Sequence, residues 1–431
     1  MANLIKEARY IMSNVDHNNN KYWYAFLYDD GTFETHWNRV GETPNKTIKT
    51  GFNESQFNSK CREKEKKGYK LLDTLADGGM LVFSSKTLSN EKLKEVAKTQ
   101  IKHNDPLVEK LIIKLTEANI HNIIESGAKL SYNNSTGLFS TPLGIVTQST
   151  VDEARDILGK IGQYIINNDM SNNIYKQLFN DYCMHIPQDV GRQKLNPYLI
   201  FPDINAVYRQ GQILDDLEVS IKSVIDGVSK PDNKITDSVV FKTKLGLVND
   251  GQIYDRITKK FLDTLHSYHA SSHLRPKVIY SVEIEDMKES FEKKGKPIGN
   301  LSELWHGSRV GNCLSILSKG LMIMGEKSSL VNGSLFGRGL YFANSSSKSL
   351  NYSYGYWDGK SKDNNPYMFL ADVAMGKSYT PKNTYEQLPK FGYDSTFAKA
   401  NISGVINDEI VIYNTYQCNP IYLIEFSPGG R

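Results

Sequence analysis

The sequence has few cysteines. Only four occur in 431 residues, at positions 61, 183, 313 and 418, and no two of them are close enough in the chain to form a Cys-x-x-Cys pair. This scatter excludes a disulfide framework and a zinc site built from neighbouring thiolates. It favours a reducing intracellular compartment.

A long apolar run is also missing. No stretch approaches the roughly 18 consecutive apolar residues that a membrane-spanning helix needs. The first ten residues, MANLIKEARY, carry charges where a signal peptide would be apolar. We therefore expect a soluble protein that is not secreted.

The chain also lacks a large excess of charge of either sign. The 52 lysines and arginines nearly balance the 48 aspartates and glutamates, for a formal net charge of +4. Because this balance creates no strong positive field around the whole chain, any contact with nucleic acid must be local. The length and the 39% hydrophobic content predict two or three folded domains.

Residues 1–100 predict a small β-rich domain. Two alternating aromatic runs between residues 21 and 41 are separated by Asp29-Asp30-Gly31, which is the chemistry of a tight hairpin turn. A charged helical pattern follows over residues 53–67. The apolar stretch Met80–Phe83 is expected to close the sheet.

Residues 101–230 predict an all-α helical bundle. The first helix is expected to begin at Asp105-Pro106, where an acidic cap precedes a proline. Its predicted buried stripe is Leu107, Leu111 and Leu115.

Two further helices are predicted in the same region. One has Thr150 and Glu153 at the spacing of a capping box, and the other covers residues 210–226. Their predicted apolar faces are, in turn, Val151, Ala154, Ile157, Leu158 and Ile161, and Leu214, Leu217, Ile221 and Val224.

Residues 231–431 predict a C-terminal α+β domain. Runs typical of β-strands cover residues 278–284, 367–374, 409–413 and 421–426, and glycine-rich and asparagine-rich loops separate them. We expect a mixed α+β fold with a mostly antiparallel sheet. The whole chain is therefore predicted to be an α+β multidomain protein.

The residues most suggestive of chemistry lie between Trp305 and Tyr352. They form three runs, LWHGSR, FGRGLYFA and SKSLNYS. A dinucleotide-binding fingerprint is disfavoured, because Phe342 stands where that fingerprint needs a third glycine and no strand-helix-strand pattern surrounds it. Taken singly, His306 is more often a packing residue than a catalytic one, and Tyr341 is more often a core tyrosine than a site residue.

Together these runs resemble the NAD-binding signature of the poly(ADP-ribose) polymerase catalytic domain, and Glu409 in NDEIVIYN matches that family's late glutamate. The resemblance implies that His306 and Tyr341 hold NAD and that Glu409 completes a His-Tyr-Glu triad. His306 would bind the adenosine ribose.

The same resemblance implies the residues of a nicotinamide pocket. Gly307 would bind the carboxamide through its backbone, with Ser308 beside it. Ser349 would bind the carboxamide through its hydroxyl, Tyr352 would stack on the ring, and Lys348 would lie near the reacting ribose. NAD+ would be a substrate, and no metal is expected.

One carboxylate suffices for this chemistry. Cleavage of the bond from ribose to nicotinamide develops an oxocarbenium-like cation while a neutral pyridine departs, so no acid is needed to protonate the leaving group. Glycosidases differ, since they use a pair of carboxyl groups. A glutamate bonded to the ribose 2′-hydroxyl would stabilise the developing cation and could orient an incoming acceptor hydroxyl.

Three histidines invite a metal assignment. His266, His269 and His273 lie among serines, with no acidic or thiolate residue beside them. Similar histidines occur near the start of the catalytic domain in the family that the chain resembles. We therefore expect no metal site there.

The run His-Trp-Asn-Arg-Val-Gly resembles the family's Trp-Gly-Arg (WGR) module, which binds DNA ends. Alternation along the strand places Thr35, Trp37 and Arg39 on one face, where an aromatic plate and a guanidinium can contact a base and a phosphate. Asn38 replaces the usual glycine. The alternative is a core tryptophan beside a surface arginine.

The helical region resembles the family's regulatory domain, notably at residues 141–144, 185–187 and 214–218. The implied layout is that of the short DNA-dependent members: a WGR domain, a helical regulatory domain and a catalytic domain. Met322 stands where the family often has an arginine near the adenosine or the phosphates.

The resemblance implies a nuclear enzyme, activated by DNA strand breaks with 5′-phosphorylated ends. Its acceptors would be proteins, itself included, and an accessory factor could complete the acceptor site. Two alternatives stay open: a mono-ADP-ribosyltransferase, and a nucleic-acid-binding scaffold whose catalytic fold is silent.

Overall fold

The computed structural model describes most of the chain, and statements about its structure refer to the part that it describes. Those residues are 2–14, 19–40, 42–71, 92–133, 138–141, 144–190, 193–225, 239–323, 335–356, 362–363 and 365–429. By contacts the chain divides into two compact units. The first combines Met1–Asn90 with Ile123–Ile221, and the second combines Glu91–Asn122 with Lys222–Arg431.

The described residues form a mixed α+β structure. Its helices are α1 (Glu54–Lys66), α2 (Lys92–Gln100), α3 (Pro106–Ile124), α4 (Gln148–Ile166), α5 (Asn173–His185), α6 (Pro197–Ile200), α7 (Ile204–Ile225), α8 (Gly251–Asp263), α9 (Glu285–Ser290), α10 (Val310–Lys319) and α11 (Ser346–Tyr354). Short helical turns follow at Phe291–Gly295, Lys296–Ile298 and Thr415–Gln417.

The strands form four sheets. They are β1 (Leu4–Asn14), β2 (Asn19–Tyr28), β3 (Phe33–Arg39), β4 (Asn45–Lys49), β5 (Lys70–Leu71), β6 (Ser131–Asn133), β7 (Leu138–Thr141), β8 (Gly144–Ile145), β9 (Thr243–Leu247), β10 (Leu274–Ile284), β11 (Leu301–Gly307), β12 (Leu340–Phe342), β13 (Tyr367–Ala374), β14 (Ser378–Tyr379), β15 (Ser395–Ala398), β16 (Glu409–Ile412) and β17 (Cys418–Pro428). Among the described pairs only β14 and β15 run parallel, so the predicted antiparallel character is confirmed.

In the first unit, a five-stranded sheet has the order β4-β3-β2-β1-β5. The predicted hairpin is confirmed: β2 and β3 meet at a turn where the Asp30 carboxylate accepts a hydrogen bond from the Thr32 amide. Phe57 and Cys61 of α1 pack with Trp23 on one face of the sheet. The stretch Met80–Phe83 lies outside the described residues.

Helices α4, α5 and α7 belong to the same unit, and two details of their prediction are wrong. Helix α4 begins earlier than predicted, because Thr147 is its N-cap and forms the capping box with Thr150. The region is also not all-α, since β6, β7 and β8 form a small sheet around the buried Phe139.

The first helix of the predicted bundle, α3, begins at Pro106 as expected. Leu111 and Leu115 are buried, but Leu107 is 47% exposed. The buried stripe begins instead at Val108. With 3.6 residues per helical turn, one side of α3 carries Val108, Leu111, Ile112 and Leu115.

The second unit contains two sheets. The larger has the order β11-β13-β17-β10-β9, and the smaller has the order β12-β16-β15-β14. Ile257 and Phe261 of α8 and Leu350 of α11 pack on the larger sheet around Trp305. The strands predicted over residues 278–284, 367–374, 409–413 and 421–426 correspond to β10, β13, β16 and β17.

The described residues contain no helix that is long and apolar enough to cross a membrane. All four cysteines are free and buried.

Arg155 joins α4 to α7 in the first unit. Its guanidinium donates to Asp215 and to Glu218, both at 2.9 Å. The three side chains are 19%, 27% and 11% exposed, so removal of the cation would leave two carboxylates close together and poorly hydrated.

We expect Arg155→Ala to lower the free energy of unfolding by about 2 kcal/mol, less than for a fully buried pair because the group is partly solvated. Urea denaturation of the full chain measures it. The matched control is Lys160→Ala on the same helix, whose pair with Asp156 is half exposed and is worth less than about 0.5 kcal/mol. Equal effects of the two substitutions would contradict the prediction.

Candidate active site

Four elements of the second unit carry the C-terminal residues predicted from the sequence: β11, β12, α11 and β16. Trp305 and Ala343 exchange backbone hydrogen bonds of 3.0 Å, which join β11 to the end of β12. Tyr341 of β12 then pairs with Val411 of β16. The ladder therefore brings His306, Tyr341 and Glu409 onto neighbouring strands.

Helix α11 approaches β11 at the distance of backbone contact. A Cβ atom added to Gly307 would lie 1.8 Å from the carbonyl oxygen of Ser349 and 3.2 Å from the Cβ of Tyr352. No side chain can occupy that space, so the glycine is required for close packing of the helix on the strand.

Serine hydroxyls of α11 form hydrogen bonds with β11 and with the residue that follows it. Ser349 donates to the Trp305 carbonyl at 3.0 Å, and the Ser308 amide donates to the Ser353 hydroxyl at 3.1 Å. Because the Ser349 proton is used within the protein, this hydroxyl could only accept a hydrogen bond from the NH2 group of a carboxamide. Ser349 stays a predicted ligand of the carboxamide, and its hydroxyl is available as an acceptor.

Arg309 contacts the C-terminal end of α11. A Cβ added to Gly355, which ends the helix in the left-handed conformation, would lie 2.2 Å from the Arg309 guanidinium. A cation at this end is favourable because the helix dipole is negative there. The turn after His306 therefore contacts both the middle and the end of α11.

The surroundings of His306 favour its neutral imidazole form. Burial lowers its pKa, and its Nδ1 lies 3.0 Å from the Tyr341 carbonyl oxygen. A carbonyl can only accept, so Nδ1 carries the proton and donates, which makes Nε2 the acceptor of the ring. An acceptor nitrogen is the group needed to bind a ribose hydroxyl.

The Tyr341 hydroxyl is occupied by the protein. It donates to the Gly337 carbonyl at 2.8 Å and accepts from the Phe336 amide at 3.1 Å. The partly buried ring packs with Phe336 and Val411. The hydroxyl thus orders the preceding turn.

Lys348 and Glu409 form a buried ion pair. The ammonium lies 2.5 Å from the Glu409 carboxylate and donates to the Asp408 carbonyl at 2.7 Å. Burial raises the pKa of Glu409 and lowers the pKa of Lys348, and the charge of each partner opposes the shift of the other. The ammonium thus favours the ionised form of Glu409, whereas burial favours its protonated form.

Asp408 supports this pair, and the sequence reasoning missed its role. Its carboxylate accepts from the Asn344 amide at 2.7 Å and from the Ala400 backbone at 2.8 Å, which fixes the residue before Glu409. The only signal in the sequence was its place beside the predicted glutamate.

Tyr352 lies on the outer side of α11 with 47% of its surface exposed. Burial of part of the side chain and the negative charge of Glu409 raise its pKa to about 12. An exposed aromatic face that feels the Glu409 charge is consistent with the predicted stacking position.

Two of the three histidines, His269 and His273, lie within hydrogen-bond distance of other protein groups. His269 is buried with Nδ1 2.8 Å from the Ser347 hydroxyl, and His273 contacts the Ala270 carbonyl through Nδ1. In the part of the chain that the structure describes, no group of three His, Cys, Asp or Glu side chains could hold a metal ion.

Trp37 and Arg39 lie in the first unit, on β3. Trp37 is 47% exposed, whereas its cross-strand neighbour Trp23 is buried under α1. The core tryptophan of this sheet is therefore Trp23. The Asn38 amide donates to the Thr43 carbonyl at 2.5 Å, and this bond ties the end of the strand to the next loop.

Comparison with known proteins finds a family match within the second unit. Residues 252–404 match the family model described as the poly(ADP-ribose) polymerase catalytic domain. This segment contains His306, Tyr341 and Lys348 and ends five residues before Glu409.

Curated relatives match beyond this segment. The chain is 28% identical over 338 residues to poly(ADP-ribose) polymerase 1 of Gallus gallus, covering 70% of this chain and 32% of the relative. It is 30% identical over 242 residues to poly(ADP-ribose) polymerase 2-B of Oryza sativa subsp. japonica, covering 55% and 39%. It is also 24% identical over 425 residues to protein mono-ADP-ribosyltransferase PARP3 of Homo sapiens, covering 90% and 75%.

The chain therefore spans only about a third of the first two relatives. Two of these three relatives are named polymerases, and the third is named a mono-ADP-ribosyltransferase.

The contact at Gly307 can be tested by adding one methyl group. We expect Gly307→Ala to displace α11 and to weaken NAD binding at least about tenfold, because overpacking a close contact costs about 1–3 kcal/mol. Calorimetric titration with NAD measures the affinity. Gly251→Ala is the control, since its Cβ would meet no atom within 4 Å. Unchanged affinity in Gly307→Ala would refute the argument.

Proposed function

Because this chain belongs to the poly(ADP-ribose) polymerase family of ADP-ribosyltransferases, we propose that it cleaves NAD+, releases nicotinamide and transfers ADP-ribose to protein acceptors, itself included. One observation carries the proposal. Two consecutive residues of α11 reach both strands of the site: Lys348 binds Glu409 of β16, and Ser349 binds Trp305, next to His306.

The proposed roles follow from this arrangement. The neutral His306 accepts from the adenosine ribose, and the backbone of Gly307 and the hydroxyls of Ser308 and Ser349 bind the nicotinamide end. Tyr341 and Tyr352 present ring faces to the ligand. Glu409, ionised beside Lys348, stabilises the positive charge that develops on the ribose as the neutral pyridine departs.

We further propose that the enzyme elongates ADP-ribose chains. A carboxylate that binds the ribose 2′-hydroxyl can also orient the hydroxyl of an acceptor ribose. A mono-ADP-ribosyltransferase remains the second candidate, because one curated relative carries that name. An accessory factor that completes the acceptor site is compatible with either.

We propose that DNA strand breaks activate the enzyme. In this proposal residues 1–100 are a WGR domain, residues 101–230 a helical regulatory domain and residues 231–431 the catalytic domain. Trp37 supports the DNA contact because its indole is exposed, and Arg39 follows two residues later on the same strand. A nuclear location follows from the same proposal.

NAD turnover and product size test the catalytic proposal. With a duplex bearing a 5′-phosphate, we expect the wild-type chain to consume NAD faster and to form a ladder of products. Glu409→Gln keeps the shape of the side chain without its charge, and we expect at least about a hundredfold lower kcat, as for the loss of one electrostatic stabiliser. DNA binding without NAD consumption would favour the silent scaffold, and a single short product would favour mono-ADP-ribosylation.

The DNA contact has its own variant in the same assay. We expect Trp37→Ala to reduce stimulation by the duplex without changing turnover in its absence. Loss of one stacked base corresponds to about 1–3 kcal/mol of DNA affinity. Ile48→Ala removes another exposed apolar side chain from the same sheet and is the control. Full stimulation of Trp37→Ala would contradict the assignment.

The ion pair predicts a change in pH dependence. Lys348→Met removes the charge that lowers the pKa of Glu409, so the carboxyl group would lose its proton only at higher pH. We therefore expect the acidic limb of the profile of kcat/KM for NAD against pH to move to higher pH. Lys259→Met, on the surface of α8, is the control. An unmoved limb would mean that Glu409 does not set it.

A further inference from the structure

Helix α3 contacts the segment that follows the HGSR motif, within the same compact unit. The Asn119 side-chain amide donates to the Gly311 carbonyl at 3.0 Å, and the Asn122 amide donates to Oδ1 of Asn312 at 3.3 Å. Gly311 and Asn312 form the first turn of α10. Two asparagines one turn apart on α3 thus bind two consecutive residues of α10.

The spacing of the two helices is set by Gly311. A Cβ added there would lie 2.5 Å from the Cβ of Asn122, closer than two non-bonded carbon atoms can approach. α3 therefore packs against backbone at this point, and its position determines where the first turn of α10 lies.

Asn119 is a polar residue in line with the apolar stripe of α3. It is fully buried beside the stripe that contains Leu111 and Leu115, and its Oδ1 has no hydrogen-bond partner among the described residues. An unsatisfied buried acceptor is destabilising. Stability alone therefore does not explain an asparagine at this position, whereas its bond to Gly311 gives it a role in orienting α10.

Asn312 continues the contact toward the predicted nicotinamide pocket. It is 6% exposed, and while its Oδ1 accepts from Asn122, its Nδ2 donates to the Ser308 hydroxyl at 3.2 Å. Because the amide group is planar, the bond to α3 also sets the direction in which Asn312 donates.

Ser308 in turn fixes a peptide group of the pocket. Its amide donates to the Ser353 hydroxyl on α11, and this N–H belongs to the same planar unit as the Gly307 carbonyl. The two groups point in opposite directions, so holding one orients the other. The Gly307 carbonyl is the group that the nicotinamide carboxamide would meet.

We infer that Asn312 is a positioning residue for the nicotinamide end of the NAD site, and that Asn122 of α3 sets its orientation. The inference rests on the proposed function, since it names residues that act on the same site. In it, α3 helps to shape the ligand-binding site through its bonds to α10. Its polar contacts act on affinity through Ser308, and neither asparagine takes part in the chemical step.

The test compares Asn312→Ala, Asn122→Ala and the double variant in the full chain. The probes are nicotinamide, for a dissociation constant by calorimetry, and NAD, for KM and kcat. We expect Asn312→Ala to raise both the dissociation constant and KM about tenfold with kcat within about twofold of wild type. Asn122→Ala should raise them about threefold, and the double variant should match Asn312→Ala because both residues act through one contact.

Thr116→Val separates positioning from stability. Thr116 is fully buried on α3 and its hydroxyl donates to the Ile112 carbonyl of the same helix, so the variant changes α3 without removing the bonds of Asn119 and Asn122 to α10. We expect a lower midpoint of thermal unfolding and unchanged nicotinamide affinity. If Thr116→Val weakens nicotinamide binding as much as Asn122→Ala, or if the effects of Asn122→Ala and Asn312→Ala add, the positioning role is refuted.

The outcomes also distinguish this inference from the proposed function. A wild-type chain that binds nicotinamide while Asn312→Ala binds it equally well overturns the inference alone. A wild-type chain that binds neither nicotinamide nor NAD overturns the proposed function and the inference with it. Binding without turnover in the wild type, together with a tenfold loss in Asn312→Ala, supports the inference and contradicts the proposed catalysis.

Discussion

The packing of α11 on β11 is the constraint on which the candidate site depends. At Gly307 the two backbones are so close that a Cβ would lie 1.8 Å from the Ser349 carbonyl. This contact brings Lys348, Ser349 and Tyr352 to the strand that carries His306. Leu350 anchors α11 by burial in the core. The hydrogen bonds of the serine hydroxyls and the contact with Arg309 fix the orientation of the helix along its length.

The polar groups of the site are ordered by one another before any ligand is bound. His306 donates to the Tyr341 carbonyl, the Tyr341 hydroxyl binds the turn at Gly337, and Lys348 joins Glu409 to the Asp408 carbonyl. Desolvation of Lys348 and Glu409 is costly, and their mutual attraction offsets part of that cost. Such preorganisation is what stabilisation of a developing cation requires, because no group then has to move during the reaction.

Local patterns predicted much of the fold. The hairpin at Asp29-Asp30-Gly31, the start of α3 at Pro106 and the strands β10, β13, β16 and β17 follow from turn chemistry, capping and β-propensity, which act over a few residues. The errors lie where neighbours decide between close alternatives. The N-cap of α4 is Thr147 and not Thr150. In α3, Val108 is buried and Leu107 is exposed. Strands β6, β7 and β8 pair around Phe139 inside a region with helical periodicity.

For the site, the sequence by itself determined which residue types stand in which motif: the glycine after His306, the serine and lysine of SKSLNY, and the glutamate near the C-terminus. These are local and appear as motifs. Only the tertiary structure decided how they are held: the proton on Nδ1 of His306, the use of the Ser349 proton by Trp305, the support of Glu409 by Lys348 and Asp408, and the contact of α3 with Asn312. The hydrogen-bond partners in these contacts lie between 35 and 190 residues apart in the chain, too far for a local pattern to reveal them. Several of the acceptors are backbone carbonyls. Because every residue has a carbonyl, such an acceptor leaves no pattern in the sequence.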